Sequence, residues 1–112
     1  MKQFTIIKSI DEFEEAKNKE ASLFYFSHEN CNVCKALKPK VLELLSDNFP
    51  EINAYYVDTV LYPDIAGQNS IFTNPVILIY FDGKEFYRKA RYIGMSELHD
   101  MLAKPYEIIF EK

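Results

Sequence analysis

Leu23-Phe24-Tyr25-Phe26, Ser27-His28-Glu29-Asn30 and Cys31-Asn32-Val33-Cys34 follow one another without a break. The first four residues form an apolar run with no alternation. Such a run suits a strand buried on both faces, as in a parallel sheet covered by helices. The next four are polar and turn-forming. From Cys31 to about Asp47 the spacing predicts a helix, with Leu37, Val41, Leu44, Leu45 and Asn48 on one face. Pro39 lies inside that pattern, so a kink is expected near it. Two cysteines one helical turn apart therefore stand where a buried strand gives way to a long helix.

The flanking sequence repeats this alternation of strand and helix. Before the motif, Phe4–Ile7 is a short apolar run that suits an edge strand. Ser9 and Glu12 then form a capping box for a helix carrying Phe13, Ala16 and Lys17 to about Lys19. After the motif, Asn53–Val57 reads as a strand that ends at Asp58. Pro63 suits the first turn of a short helix. Thr73-Asn74-Pro75 is a turn, Val76–Phe81 a strongly apolar strand, and Asp82-Gly83 a hairpin signal. The return strand is expected over Phe86–Ile93. Ser96 is the expected cap of a last helix with Leu98, Met101 and Leu102 on one face. Pro105 is expected to end or break that helix, leaving Ile108, Ile109 and Phe110 as an apolar tail packed onto the body. The order is βαβαβαββα. It predicts an α/β fold with a mixed central sheet and helices on both faces.

The 112 residues are 48% hydrophobic, with only three glycines, which suits a single domain over residues 1–112 with its own core. The formal net charge is −4, and no basic footprint for nucleic acid stands out. The nearest candidate, Lys84, Arg88, Lys89 and Arg91, reads as a charged edge strand that resists sheet-to-sheet association. No apolar run is long enough to span a bilayer, and the start of the chain lacks the apolar stretch of a signal peptide. A cytoplasmic location is therefore expected. In that compartment a close cysteine pair points to redox chemistry or metal rather than a staple.

The chemistry follows from position. The first turn of a helix presents free N–H groups and the positive end of the dipole. A thiolate at Cys31 is stabilised there, so its pKa should fall below that of a free cysteine. Cys34 sits one turn deeper on the same face. Cys31 is thus the expected nucleophile and Cys34 the resolving thiol that clears a mixed disulfide. Three other readings stay open at this point. The cysteines are a buried structural pair, a half-site for a metal shared between chains, or a relic in a binding module with little turnover. A tetrahedral site within one chain would have to draw on both cysteines and both histidines, His28 and His99, and no second C-x-x-C exists. Neither a metal nor a cofactor is expected. His28 reads as a solvated loop residue, His99 as an exposed helix residue, Tyr25 as a core aromatic whose hydroxyl reaches a polar edge, and Asp58 as a turn former.

Taken together, these residues resemble the thioredoxin family over nearly the whole chain. Cys31, Cys34 and Lys35 fit the family's C-x-x-C at the start of the second helix. Pro39 fits its helix-kinking proline and Pro75 its cis-proline. Asp82-Gly83-Lys84 resembles the hairpin turn, and Ile93-Gly94 the pair lining the substrate groove. The resemblance implies a thioredoxin fold and a dithiol–disulfide oxidoreductase. It would act on protein or small-thiol disulfides, draw on a separate reductant and work as a monomer. The groove would be formed by Asn30, Asn74, Pro75, Ile93 and Gly94. The departures are specific: the chain has no tryptophan, and Asn32-Val33 replaces the usual Gly-Pro. Tyr25 stands where the family holds a buried acid, and Asn74 where it has Ile or Val before the cis-proline.

Overall fold

A computed structural model describes residues 2–111; Met1 and Lys112, the ends of the expected domain, lie outside them. In chain order the elements are β1 (Thr5–Ile6), α1 (Ile10–Lys17), β2 (Ala21–Ser27), α2 (Asn32–Asn48), β3 (Asn53–Asp58), α3 (Pro63–Gln68), β4 (Val76–Phe81), β5 (Lys84–Ala90) and α4 (Met95–Phe110). The strands form one sheet in the order β1-β3-β2-β4-β5. The β1–β3 and β3–β2 pairs are parallel, and β2–β4 and β4–β5 are antiparallel. The expected mixed sheet is therefore present. Strand β2 lies at its centre and is buried at every position, as an unalternating apolar run requires.

Period-two alternation divides the core. Leu23, Tyr25, Ile77 and Ile79 face one side, with Cys34, Val41 and Leu45 of α2 and Leu98 and Leu102 of α4. Phe24, Phe26, Leu78 and Tyr80 face the other, with Phe13 and Ala16 of α1 and Ile65 of α3. Helix α1 starts as expected: Ser9 Oγ accepts the Glu12 N–H at 3.1 Å, while Glu12 Oε1 accepts the N–H of Lys8 at 3.0 Å. The Asp82-Gly83 turn has both residues at positive φ, 52° and 80°, the conformation that selects this dipeptide in two-residue hairpins.

Several boundaries differ from expectation. Strand β1 is two residues long rather than four, and α1 stops at Lys17 rather than Lys19. On α2 the buried stripe passes from Leu45 to Phe49, while Asn48 faces solvent; 3.6-residue periodicity drifts off a strict heptad. The helix runs through Pro39, as expected. Strand β5 begins directly after the turn and ends at Ala90, because Arg91 is left-handed with φ 66°. Ile93 is therefore outside the strand. Gly94, not Ser96, is the N-cap of α4, and its carbonyl accepts the Leu98 N–H at 3.0 Å. Met101 is exposed; Leu98, Leu102 and Tyr106 form the buried stripe. Helix α4 also runs on through Pro105 to Phe110, so the expected apolar tail is helical. The bond forfeited there belongs to the carbonyl four residues back, on exposed Met101, where water can satisfy it. Burial of Tyr106 holds the continuation in place. Its hydroxyl accepts the Glu51 N–H at 3.1 Å, and its ring packs 5.1 Å from that of Phe49.

Candidate active site

The polar turn after β2 delivers Cys31 to the N-cap of α2. The His28 carbonyl accepts the Cys31 N–H at 3.2 Å, and the Cys31 carbonyl accepts the Lys35 N–H at 3.0 Å. The Cys31 sulfur itself accepts the Cys34 N–H at 3.2 Å. A sulfur thus occupies the acceptor position that Ser or Asp commonly fills at a helix start. The two cysteines are joined by a disulfide of 2.06 Å with Cα atoms 5.2 Å apart. They are unequally placed: Cys31 is half-buried, whereas Cys34 is 1% exposed and belongs to the core.

Beneath them, Tyr25 is fully buried and donates its hydroxyl to the Cys34 carbonyl at 2.7 Å. Burial, reinforced by Tyr56, pushes the Tyr25 phenol far above its ordinary pKa, so it stays a neutral donor. The expected core aromatic with a polar contact is thus present, and its partner is the backbone of the second cysteine. Tyr56 lies beside it with ring centroids 6.2 Å apart.

The sheet register gathers most of the expected groove. Val76 pairs with Phe26, which brings Pro75 to the Ser27 end of β2. The Asn74–Pro75 bond is cis. The Thr59 hydroxyl lies 3.3 Å from the Ser27 carbonyl and 3.1 Å from Asn74 Oδ1, tying the two loops together. Asn30 is exposed at the mouth, its N–H donated to His28 Nδ1 at 3.2 Å. Ile93 packs on the cluster that holds both cysteines. Gly94 follows it, open to solvent, at the start of α4. Asp58 is a turn former, as expected: its Oδ1 accepts the N–H groups of Val60 and Leu61, both at 2.9 Å.

His99 is a different case. It is only half-exposed, and its ring lies 5.4 Å from that of Phe49. Phe49 caps the far end of α2, a 17-residue helix that spans about 25 Å. The two histidines and two cysteines therefore do not converge on a four-ligand centre. Among the described residues no three His, Cys, Asp or Glu side chains form a metal-holding group.

Three features beyond those expected from sequence surround the motif. Val33 within the motif, Val60 and Leu61 after Asp58, Phe72 before Asn74 and Tyr92 before Ile93 are exposed apolar side chains, with Phe72 85% and Tyr92 86% exposed. His28, Asn30, Asp58, Val60 and Leu61 line a groove of about 150 Å³ beside the motif. A smaller cavity of about 40 Å³ opens against Cys34 itself. One of its walls is Lys38, whose Nζ sits 4.0 Å from the centroid of the Tyr56 ring. Only Lys38 had a sequence signal, its place one turn beyond Cys34 on α2.

The family model described as Thioredoxin matches residues 4–104. The chain belongs to the thioredoxin family. It is 34% identical over 109 residues to the thioredoxin-like protein YdfQ of Bacillus subtilis, covering 96% of each chain. It is 30% identical over 98 residues to the thioredoxin of Chlamydia trachomatis, covering 88% of this chain and 95% of that one. Oxidised thioredoxin O2 from Arabidopsis thaliana has the same fold, with a TM-score of 0.78 at 24% identity over 92% of this chain and 94% of that one. Family membership and the bonded Cys31–Cys34 pair make this thioredoxin-family protein a dithiol–disulfide oxidoreductase. The family acts on protein disulfides with the help of reductants. No helix among the described residues is long and apolar enough to cross a membrane.

Proposed function

We propose that Cys31 is the attacking sulfur and Cys34 the resolving one. The observation that carries this assignment is their unequal burial at the start of α2: Cys31 is half-buried at the N-cap, Cys34 buried one turn below it. On reduction, the Cys31 thiolate faces the N–H of Cys34 and the positive end of α2. It attacks one sulfur of a substrate disulfide, and the other substrate sulfur leaves as a thiol. Cys34 then attacks Cys31, forming the intramolecular disulfide and releasing the second thiol. Two electrons pass to the substrate, and a separate reductant returns them.

The substrate segment lies across Asn30, Asn74, Pro75, Ile93 and Gly94. The exposed side chains of Val33, Phe72 and Tyr92 favour protein substrates with apolar residues next to their disulfides, since an exposed apolar rim marks a partner surface. The enzyme works as a cytoplasmic monomer.

Replacing Cys34 by Ser should trap covalent complexes with target proteins, visible on a non-reducing gel and lost on adding reductant. Cys31→Ser should trap few or none. Equal trapping by both variants would overturn the assignment of roles. If neither traps and a partner is retained whether or not reductant is present, the binding-module reading replaces it.

A further inference from the structure

Resolution requires Cys34 to lose a proton, and burial of Cys34 at 1% exposure opposes its thiolate. The polar side chain beneath it cannot help as a base. Tyr25 already donates its hydroxyl to the Cys34 carbonyl, and burial keeps it protonated. The remaining route is the 40 Å³ cavity lined by Ser27, His28, Glu29, Cys34, Lys35, Lys38 and Tyr56, large enough for one water.

The charged and titratable groups facing this cavity differ in what they can do. His28 Nδ1 accepts the Asn30 N–H, so that acceptor is already occupied. Glu29 and Lys35 are exposed, where water screens them. Asp58, at the end of β3, is not among the residues lining the cavity and commits an oxygen to its own turn. Tyr56, buried, has its phenol pushed up mainly by that burial. Lys38 is half-buried and restrained: its ammonium lies 4.0 Å from the Tyr56 ring centroid and 5.8 Å from that of Phe4. Both distances fall within the range of cation–π attraction. A cation held at the rim of a poorly solvated cavity acts through a lower effective dielectric than one in bulk water.

We propose that Lys38, seated on the Tyr56 and Phe4 rings, is the positioning residue that stabilises the Cys34 thiolate during resolution. This rests on Cys34 being the resolving sulfur. The Cys34 S–H proton passes to water in the cavity. The thiolate, opposite Lys38, attacks the Cys31 sulfur of the mixed disulfide. The Cys31–Cys34 bond forms, the mixed S–S bond breaks, and the departing sulfur takes the electron pair and then a proton from water.

An aromatic disulfide that releases a coloured thiol, 5,5′-dithiobis(2-nitrobenzoate), separates the two events. Fast release reports attack by Cys31, and the second release reports resolution by Cys34. In Lys38→Gln the second phase should slow about tenfold at pH 7, with the inflection of its pH profile moved up by about one unit; the first phase should be unchanged. Lys38→Arg should restore both rate and inflection. A second phase in Lys38→Gln within twofold of the parent, or an unmoved inflection, would overturn the proposal. So would failure of Lys38→Arg to restore it, since packing rather than charge would then be at work. Cys34→Ser tests the underlying role separately: it should lose the second phase whatever residue stands at position 38.

Discussion

One strand supplies both faces of the core, yet the faces do different work. Phe24 and Phe26 point toward α1 and α3, where aromatic rings pack on one another: Phe13 lies 4.5 Å from Phe24 between centroids, and Tyr80 5.7 Å from Phe24. Leu23 and Tyr25 point the other way, and the Tyr25 hydroxyl reaches the backbone of Cys34. Neighbours in sequence are thus assigned to packing or to redox chemistry by the two-residue period of a strand. A substitution on one face should change stability alone, and on the other both stability and sulfur chemistry.

The largest effect tests the packing face. Phe24→Ala should cost about 3–5 kcal/mol in urea unfolding, as for other buried aromatics. The reduction potential of the folded variant should stay at the parent value. A shift in potential alongside the lost stability would break the separation of the faces.

Tyr25→Phe probes the other face and should cost less, about 1–2 kcal/mol, by removing the buried hydrogen bond that the hydroxyl donates to the Cys34 carbonyl. That bond is made in the disulfide form, so its loss should make the pair more oxidising by at most about 30 mV. Titration against glutathione measures this. An unchanged potential would put Tyr25 on the same footing as Phe24.

The smallest effect lies at the rim of the same face. Burial, helped by the bond to Glu97 at 2.6 Å, holds the Tyr87 phenol up to about 12. Between pH 10 and 12 the folded state keeps a proton that the unfolded chain loses, so stability falls across that window. Buried Tyr25, Tyr56 and Tyr80 and half-buried Tyr55, all raised, add to the decline. Tyr87→Phe should make it shallower. An identical slope in the variant would exclude the Tyr87–Glu97 contact as a contributor.

What could be read from sequence follows the range of the forces involved. Strands β2 and β4 were legible because continuous apolar runs need no partner to be recognised. The Asp82-Gly83 turn and the Ser9 cap were legible because their chemistry is local. Cys31 and Cys34 were legible because one helical turn separates them at a strand–helix junction. The misreadings lie where distant residues decide. Pro105 fails to stop α4 because Tyr106 is anchored on Phe49 and Glu51. Strand β5 stops at Ala90, just before a left-handed Arg91, and the cap of α4 falls on Gly94 beyond it. The seat of Lys38 needs Phe4 and Tyr56 from two other strand regions, so helix spacing alone did not reveal it.

The strand order also has a consequence in time. Strand β2 does not pair with β1, the strand made before it: it lies between β3 and β4, both made later, and Ala21 pairs with Phe81. On a ribosome adding about 5–20 residues per second, the apolar run Leu23–Phe26 therefore exists for roughly 3–12 s before its antiparallel partner is made. Helix α1 and the β4–β5 hairpin can form from local contacts, but the centre of the sheet must wait for both halves of the chain. The strand that later holds the redox site in place is thus the part of the newborn chain most in need of protection from other sticky surfaces.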